Sequence, residues 1–376
     1  MSEKFHIVND EGLCPVGCSP MPGKEKPIVR HTNRLAALCF LAAVVAAPAA
    51  DACTRVLYET GTGTYIVGRN MDWNDLTMET DFWTFPAGMK RDGGVGPDSI
   101  AWTSKYGSVI ISIYEIATSD GVNEKGLAGN LLYLTESDYG DPATSGKPGI
   151  SVGAWLQYFL DNYATVAEAV EAMQVDPFTV VSANAPNGRP ASVHVALSDP
   201  TGDSAILEYL GGKLKIHHGA QYQVMTNSPP YDEQIAIDAY WDPIGGKNFL
   251  PGTISAADRF VRASYNLKAS PKYKDRRDAI ASVFSQMRSV GVPLGMSDPE
   301  KPNISSTLWR SVIDQDTKRY YFDSVINPSV IWVDLDKVDL SPGAKPMTLK
   351  VGVPSNVGGE VSAQFAPAEP FKFLAP

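Results

Sequence analysis

Apolar and polar residues alternate in short runs from residue 53 onward, and turn-forming residues bound each run. Cys53 to Glu59 (CTRVLYE) and Thr64 to Gly68 (TYIVG) flank Thr60-Gly61-Thr62-Gly63, a pattern that predicts a β-hairpin. Further strand-like runs are Ser108 to Ile116, Leu127 to Leu134, Ser192 to Leu197, Ala205 to Leu210, Lys213 to His217 and Gln221 to Met225. Arg319 to Asp323 and Val330 to Val333 form a last group. The apolar spacing changes to three and four over Ser151–Leu160, Thr165–Met173 (TVAEAVEAM) and Asp278–Val290, which predicts amphipathic helices. Ser255 stands before AADRFVRASYNL with Asp258 at the capping-box position, so another helix begins there. There is no repeat, heptad or low-complexity linker. Strand clusters punctuated by paired helices predict an α+β chain, two sheets with helices outside, folded as a single layered domain over residues 53–376. The Pro-rich stretch Ser355 to Pro376 reads as a surface extension.

The first 52 residues follow another pattern. Arg30 and Arg34 precede an uncharged apolar run, Leu35 to Ala47, and Pro48 breaks it. Ala50-Asp51-Ala52 then places small residues where a signal peptidase reads them. This predicts an exported protein, periplasmic or secreted, with residues 1–52 removed and Cys53 at the new N-terminus. Residues 1–29 are polar and carry Cys14 and Cys18, too few thiols for a structural zinc.

Processing changes the cysteine count more than the charge. Cys14, Cys18 and Cys39 leave with the segment, so Cys53 remains as a lone thiol with no intrachain disulfide partner. The removed part holds five basic and five acidic residues, so the 324 that remain keep the net charge of −10. Without a basic stripe, nucleic acid is not an expected partner. No run after Cys53 is long and apolar enough to span a bilayer.

Three readings of Cys53 stand side by side. It is a buried small hydrophobe, or the modified residue of a lipid-anchored periplasmic binding protein, or a nucleophile whose own α-amine serves as base. Asp51 fits poorly in the lipid-attachment pattern. Of the histidines left after processing, His194 lies in an alternating strand (SVHVAL) and reads as structural, while His217 and His218 end another run. An α-amine ordinarily titrates at about pH 8, near working pH, which favours it as the base.

Five segments in order carry a resemblance: Cys53-Thr54-Arg55, Gly68-Arg69-Asn70-Met71-Asp72-Trp73, Asn123-Glu124-Lys125-Gly126-Leu127 with Asn130, Met225-Thr226-Asn227-Ser228-Pro229, and Asp258-Arg259-Phe260-Val261-Arg262. Together they resemble the choloylglycine hydrolase family, the N-terminal-nucleophile amidases that include penicillin V acylases and conjugated bile acid hydrolases. The resemblance implies a four-layer αββα sandwich, hydrolysis of a linear amide bond in a small molecule, and no metal or organic cofactor. By that resemblance Cys53 attacks and Asp72 orients its amine. Arg69 and Arg259 favour the thiolate, while Asn227 (side-chain amide) and Asn130 (backbone N–H) receive the oxyanion. Asp72 and Asn227 also read as turn residues, and Arg259 as an ordinary surface pair. Trp73, Trp83, Trp102, Trp155, Tyr114 and Tyr133 form an aromatic-rich set near the expected acyl pocket, with Trp73 and Tyr133 as substrate contacts. That set points to the exported Gram-negative penicillin V acylase-like branch, which cleaves phenoxyacetyl amides or acyl-homoserine lactones, with a bile acid hydrolase as the alternative. A homotetramer is implied too, yet the stretch between Asn227 and Arg259 is shorter than in bile acid hydrolases, where a loop there helps tetramers assemble.

Overall fold

The computed structural model describes residues 53–296 and 305–376; the predicted signal segment, with Cys14, Cys18 and Cys39, lies outside them. Two sheets carry the architecture. The first runs Val224–Met225, Thr54–Glu59, Tyr65–Trp73, Ser306–Asp314, Arg319–Ser324, Ile331–Asp334 and Gly359–Glu360 in spatial order. The second runs Lys213–His218, Ser204–Leu210, Val193–Ser198, Ala128–Tyr133, Ala117–Asn123, Ser108–Ile113, Thr80–Phe85, Met347–Lys350 and Ala366–Pro367. Neighbouring strands in both are antiparallel except for the last pair of the first sheet.

Period-two alternation decides which side chain enters which layer. In Ser204–Leu210, Ala205, Leu207 and Tyr209 join a core with helices Trp155–Asn162 and Val166–Met173, while Ile206 joins the other core. In Ser108–Ile113, Ile110 faces the helices while Val109 and Ile111 face the first sheet. Helices Ala256–Ala269 and Arg276–Ser289 cover the far side of the first sheet with Phe260, Val283 and Met287. The layers are therefore helix, sheet, sheet, helix, as the resemblance implied. Ser255 caps its helix by accepting from Asp258 N, and Thr165 caps Val166–Met173 by accepting from Glu168 N.

Three readings need correction. Residues 149–151 form a short strand, so the helix predicted from Ser151 begins at Trp155. Tyr231–Trp241 is a helix that the sequence hid, because its apolar residues follow no stripe. The Pro-rich tail is not a surface extension: Val361 and Phe365 are buried, and Ala366–Pro367 pairs with Met347–Lys350 at the edge of the second sheet. Phe365 packs against Phe82 and Phe371 against Trp83, contacts that offset the entropy lost in ordering the tail.

Candidate active site

Cys53 precedes the strand Thr54–Glu59, whose register pairs Thr54 with Asn70 and Arg55 with Arg69. That register brings Cys53 beside Met71. Its sulfur lies 3.9 Å from Met71 Sδ, 3.9 Å from Arg69 Nη2 and 3.7 Å from Asp72 O. The thiol is 2% exposed, and among the described residues it is the free cysteine.

The main chain of Cys53 is gripped from two directions. Its N–H donates to Asn227 Oδ1. Arg259 Nη1 donates to Cys53 O at 2.6 Å and to Thr54 Oγ1 at 2.6 Å, while Nη2 donates to Asn227 Oδ1 at 3.1 Å. Arg259 is wholly buried, which removes the surface-pair reading. Asn227 is no simple turn residue either: its Nδ2 donates to Tyr133 O at 2.6 Å. An amide NH₂ carries two hydrogens, so one remains for another acceptor.

Asp72 lies across from Thr307, which donates to its Oδ1, and its Oδ2 is 3.8 Å from Arg259 Nη1. Oδ2 is buried and accepts no hydrogen bond. Burial raises the Asp72 pKa to about 6, against the opposing pull of Arg259, Thr307 and Arg69. Burial is also the largest effect on Cys53 and raises its pKa; Arg69 and Arg259 lower it, and Asp72 adds to the rise. The two arginines act in the expected direction, favouring the thiolate, but burial opposes them more strongly. The net shift of the thiol is therefore upward.

Two β-bulges complete the site. In Ala117–Asn123 the register slips so that Thr118 faces Ser112 and Asp120 faces Ile111, leaving Ser119 extra. Consecutive residues of a bulged strand can then reach one group: Arg69 Nη2 donates to Ser119 Oγ at 3.1 Å, and Nη1 is 3.6 Å from Asp120 Oδ2. Asp120 also accepts from Ser311 Oγ (2.9 Å), Tyr320 OH (2.6 Å) and Asn130 Nδ2 (3.0 Å). In Ser306–Asp314 the second bulge leaves Leu308 extra, placing Thr307 on Asp72 and Trp309 under Arg69, 4.4 Å from the ring centroid.

Above Cys53 opens an apolar cavity. Trp73, Tyr114 and Tyr133 line it with Met71, Leu131 and Val193. Trp73 and Tyr133 tilt together at 5.9 Å, and Trp73 Nε1 donates to Tyr114 OH, which donates to Asp75 Oδ2, each at 2.8 Å. Trp83 and Trp155 belong instead to the outer core, and Trp102 donates to Asp161 against Tyr158, so half of the aromatic set is structural. Asn130 also departs from expectation. It sits mid-sheet, registered with both Asp120 and Ala196, so its backbone N–H lies in the sheet plane and not in the cavity. His194 hydrogen-bonds Glu208 at 2.9 Å, buried and away from the cavity lining. Among the described residues no cluster of metal-binding side chains occurs, and no helix is long and apolar enough to cross a membrane.

The sequence pattern of the linear amide C–N hydrolases, choloylglycine hydrolase family, matches residues 53–349. The chain belongs to that family. It is 46% identical to the penicillin V acylase of Pectobacterium atrosepticum over 92% of this chain and 98% of that one. It is 27% identical to a bile salt hydrolase/transferase of Clostridium perfringens over 77% and 94%. The solved penicillin V acylase of Agrobacterium tumefaciens superposes with a TM-score of 0.80 at 49% identity, covering 86% of this chain and all of that one. This family member is accordingly a hydrolase of linear amide C–N bonds with the αββα fold of the N-terminal nucleophile hydrolases. The residues that sequence reasoning missed are Asp120, Thr307 and Trp309. All three stand at or beside bulges, where alternation fails as a guide.

Proposed function

We propose that this enzyme is exported, loses residues 1–52, and cleaves aryl- or alkyl-acyl amides with Cys53 as an N-terminal nucleophile. One observation carries the reading: a buried thiol whose own main-chain nitrogen is held at the floor of an apolar, aromatic cavity. The family match beginning at Cys53 supports it. Once freed, the Cys53 amine accepts the thiol proton while the sulfur attacks the substrate carbonyl. The orphaned Asp72 Oδ2 supplies an acceptor for the amine's N–H, and Arg259 ties Asp72 to the Cys53 carbonyl. The tetrahedral oxyanion takes the second N–H of Asn227. Collapse passes the amine's proton to the leaving nitrogen, and the thioester remains. Water, deprotonated by the same amine, then releases the acid and restores the thiol.

The Trp73–Tyr133 wall favours a phenoxyacetyl group, the type named for the penicillin V acylases this chain resembles. Acyl-homoserine lactones offer the same amide with an alkyl chain, and conjugated bile acids a bulkier acyl group. Rates on phenoxyacetyl, long-chain acyl-homoserine lactone and glycine-conjugated bile acid substrates test the choice. The first should give the highest kcat/KM, and a bile acid preference would refute it. Mass spectrometry of the mature N-terminus separates a free Cys53 from the lipid-modified residue of a binding protein.

A further inference from the structure

The tail closes part of the cavity that the rest of the fold leaves open. It lies past residue 349, beyond the stretch that the family pattern matches. After Ala366–Pro367 joins the second sheet, Phe371 packs edge-on against Trp83 at 5.6 Å, and Phe373 against Phe371 at 5.5 Å. These rings pin the tail to the outer core. Leu374 is then fastened at both main-chain groups. Its N–H donates to Ile116 O at 2.8 Å, and its carbonyl accepts from Ser151 Oγ. Its half-buried side chain lines the cavity with Ile116, Ala117, Val152 and Gly153.

The position of this contact along the strand gives it a meaning. Arg69 touches Ser119, and Leu374 is bonded to Ile116, three residues earlier. Arg69 and Leu374 thus line the same cavity from different positions along this segment, Arg69 beside the sulfur and Leu374 beside Ile116. A group held there meets the distal part of a substrate's acyl chain and not the scissile bond.

We propose that Leu374 forms the distal wall of the acyl cavity, and that the C-terminal tail thereby sets the longest acyl group accepted. This rests on the amidase reading above. A wall built from the tail, and not from the sheets, can be altered without disturbing the reacting groups: the hydrogen bonds that hold Cys53, Asp72, Asn227 and Arg259 run to other parts of the chain.

The test is chain-length selectivity. Processed wild-type enzyme, Leu374→Ala, Leu374→Phe and a chain ending at Phe373 are assayed on straight-chain N-acyl-p-nitroanilides from butanoyl to dodecanoyl. One methylene that a pocket rejects typically costs about tenfold or more in kcat/KM. Leu374→Ala and the shortened chain should move the optimum to longer acyl groups and raise the ratio of long- to short-chain kcat/KM about tenfold. Leu374→Phe should move it to shorter ones. The opposite displacements distinguish a wall from a general loosening. One shared optimum in all four proteins overturns the proposal while leaving the amidase reading intact. A wild-type enzyme inert toward these anilides and toward phenoxyacetyl amides alike overturns both.

Discussion

The two faces of the second sheet are built on opposite principles. Toward the helices, Trp155, Phe159, Leu160 and Phe178 fill an apolar layer. Toward the first sheet, the same strands bury Asp120 and help bury its partner Arg69, both fully enclosed. Charges out of water are costly even when paired, and replacing such groups by apolar ones is often neutral or stabilising. Both faces bury apolar groups, with Phe82, Val109, Ile111 and Ile206 packed toward the first sheet. The inner face holds an arrangement that stability alone does not require: Asp120 and its partners hold Arg69 beside the Cys53 sulfur. The difference teaches where mutations separate folding from turnover.

The largest expected effect is on the inner face. Cys53→Ala should lower turnover about 10⁴-fold or more, as losing the attacking group does in comparable hydrolases, with little change in thermal midpoint. Residual activity above a few per cent breaks the comparison. Next comes Asn227→Ala, expected to reduce kcat by about 10²–10³ with KM little changed, as for an oxyanion donor. Its control is His194→Gln, which should affect stability more than rate because His194 serves Glu208. A dead but folded His194→Gln, with Asn227→Ala near normal, makes this a Cys/His enzyme.

On the outer face, Phe159→Ala should cost about 3–5 kcal/mol of stability while kcat of the folded protein stays within about twofold. Denaturant unfolding with kinetics on the same preparation checks both halves. The smallest effect is one of pH. Asp72 has a folded pKa of about 6, raised from 3.8 by burial. Its carboxylate accepts from the proposed amine, and holds a positive charge there, far more strongly than the neutral acid does. Rate is therefore present above pH 6 and lost as pH falls through it, about tenfold per unit. The linkage sign for stability is reversed: a raised carboxylate pKa stabilises the fold below about pH 4, and that contribution is lost as pH rises through about 6. An acid limb caused by unfolding, seen by circular dichroism at about pH 5, would contradict this assignment.

Much of this was legible in the sequence, for identifiable reasons. Short apolar runs placed the strands Ser108–Ile113, three residues shorter than predicted, and Ser204–Leu210, because each has both faces buried against different layers. Cys53, Arg69, Asp72, Asn227 and Arg259 stand in contiguous motifs, and the structure brings all five together. Asn130 was misplaced since a motif gives a neighbourhood but not the plane in which a backbone N–H points. Asp120 and Thr307 were invisible because bulges break the period on which such reading depends. The tail was misread because proline content marks turns but does not reveal what Phe365, Phe371 and Leu374 touch.

The central claim, that the amine of Cys53 is the base, is tested most directly by comparing two chains of verified N-terminus. One begins at Cys53; the other retains Met-Ala ahead of it, so that the Cys53 nitrogen is a peptide amide and cannot accept a proton. Single-turnover hydrolysis of a phenoxyacetyl amide should proceed in the first and be undetectable in the second. Equal rates from a second chain shown by mass spectrometry to be intact would contradict the account.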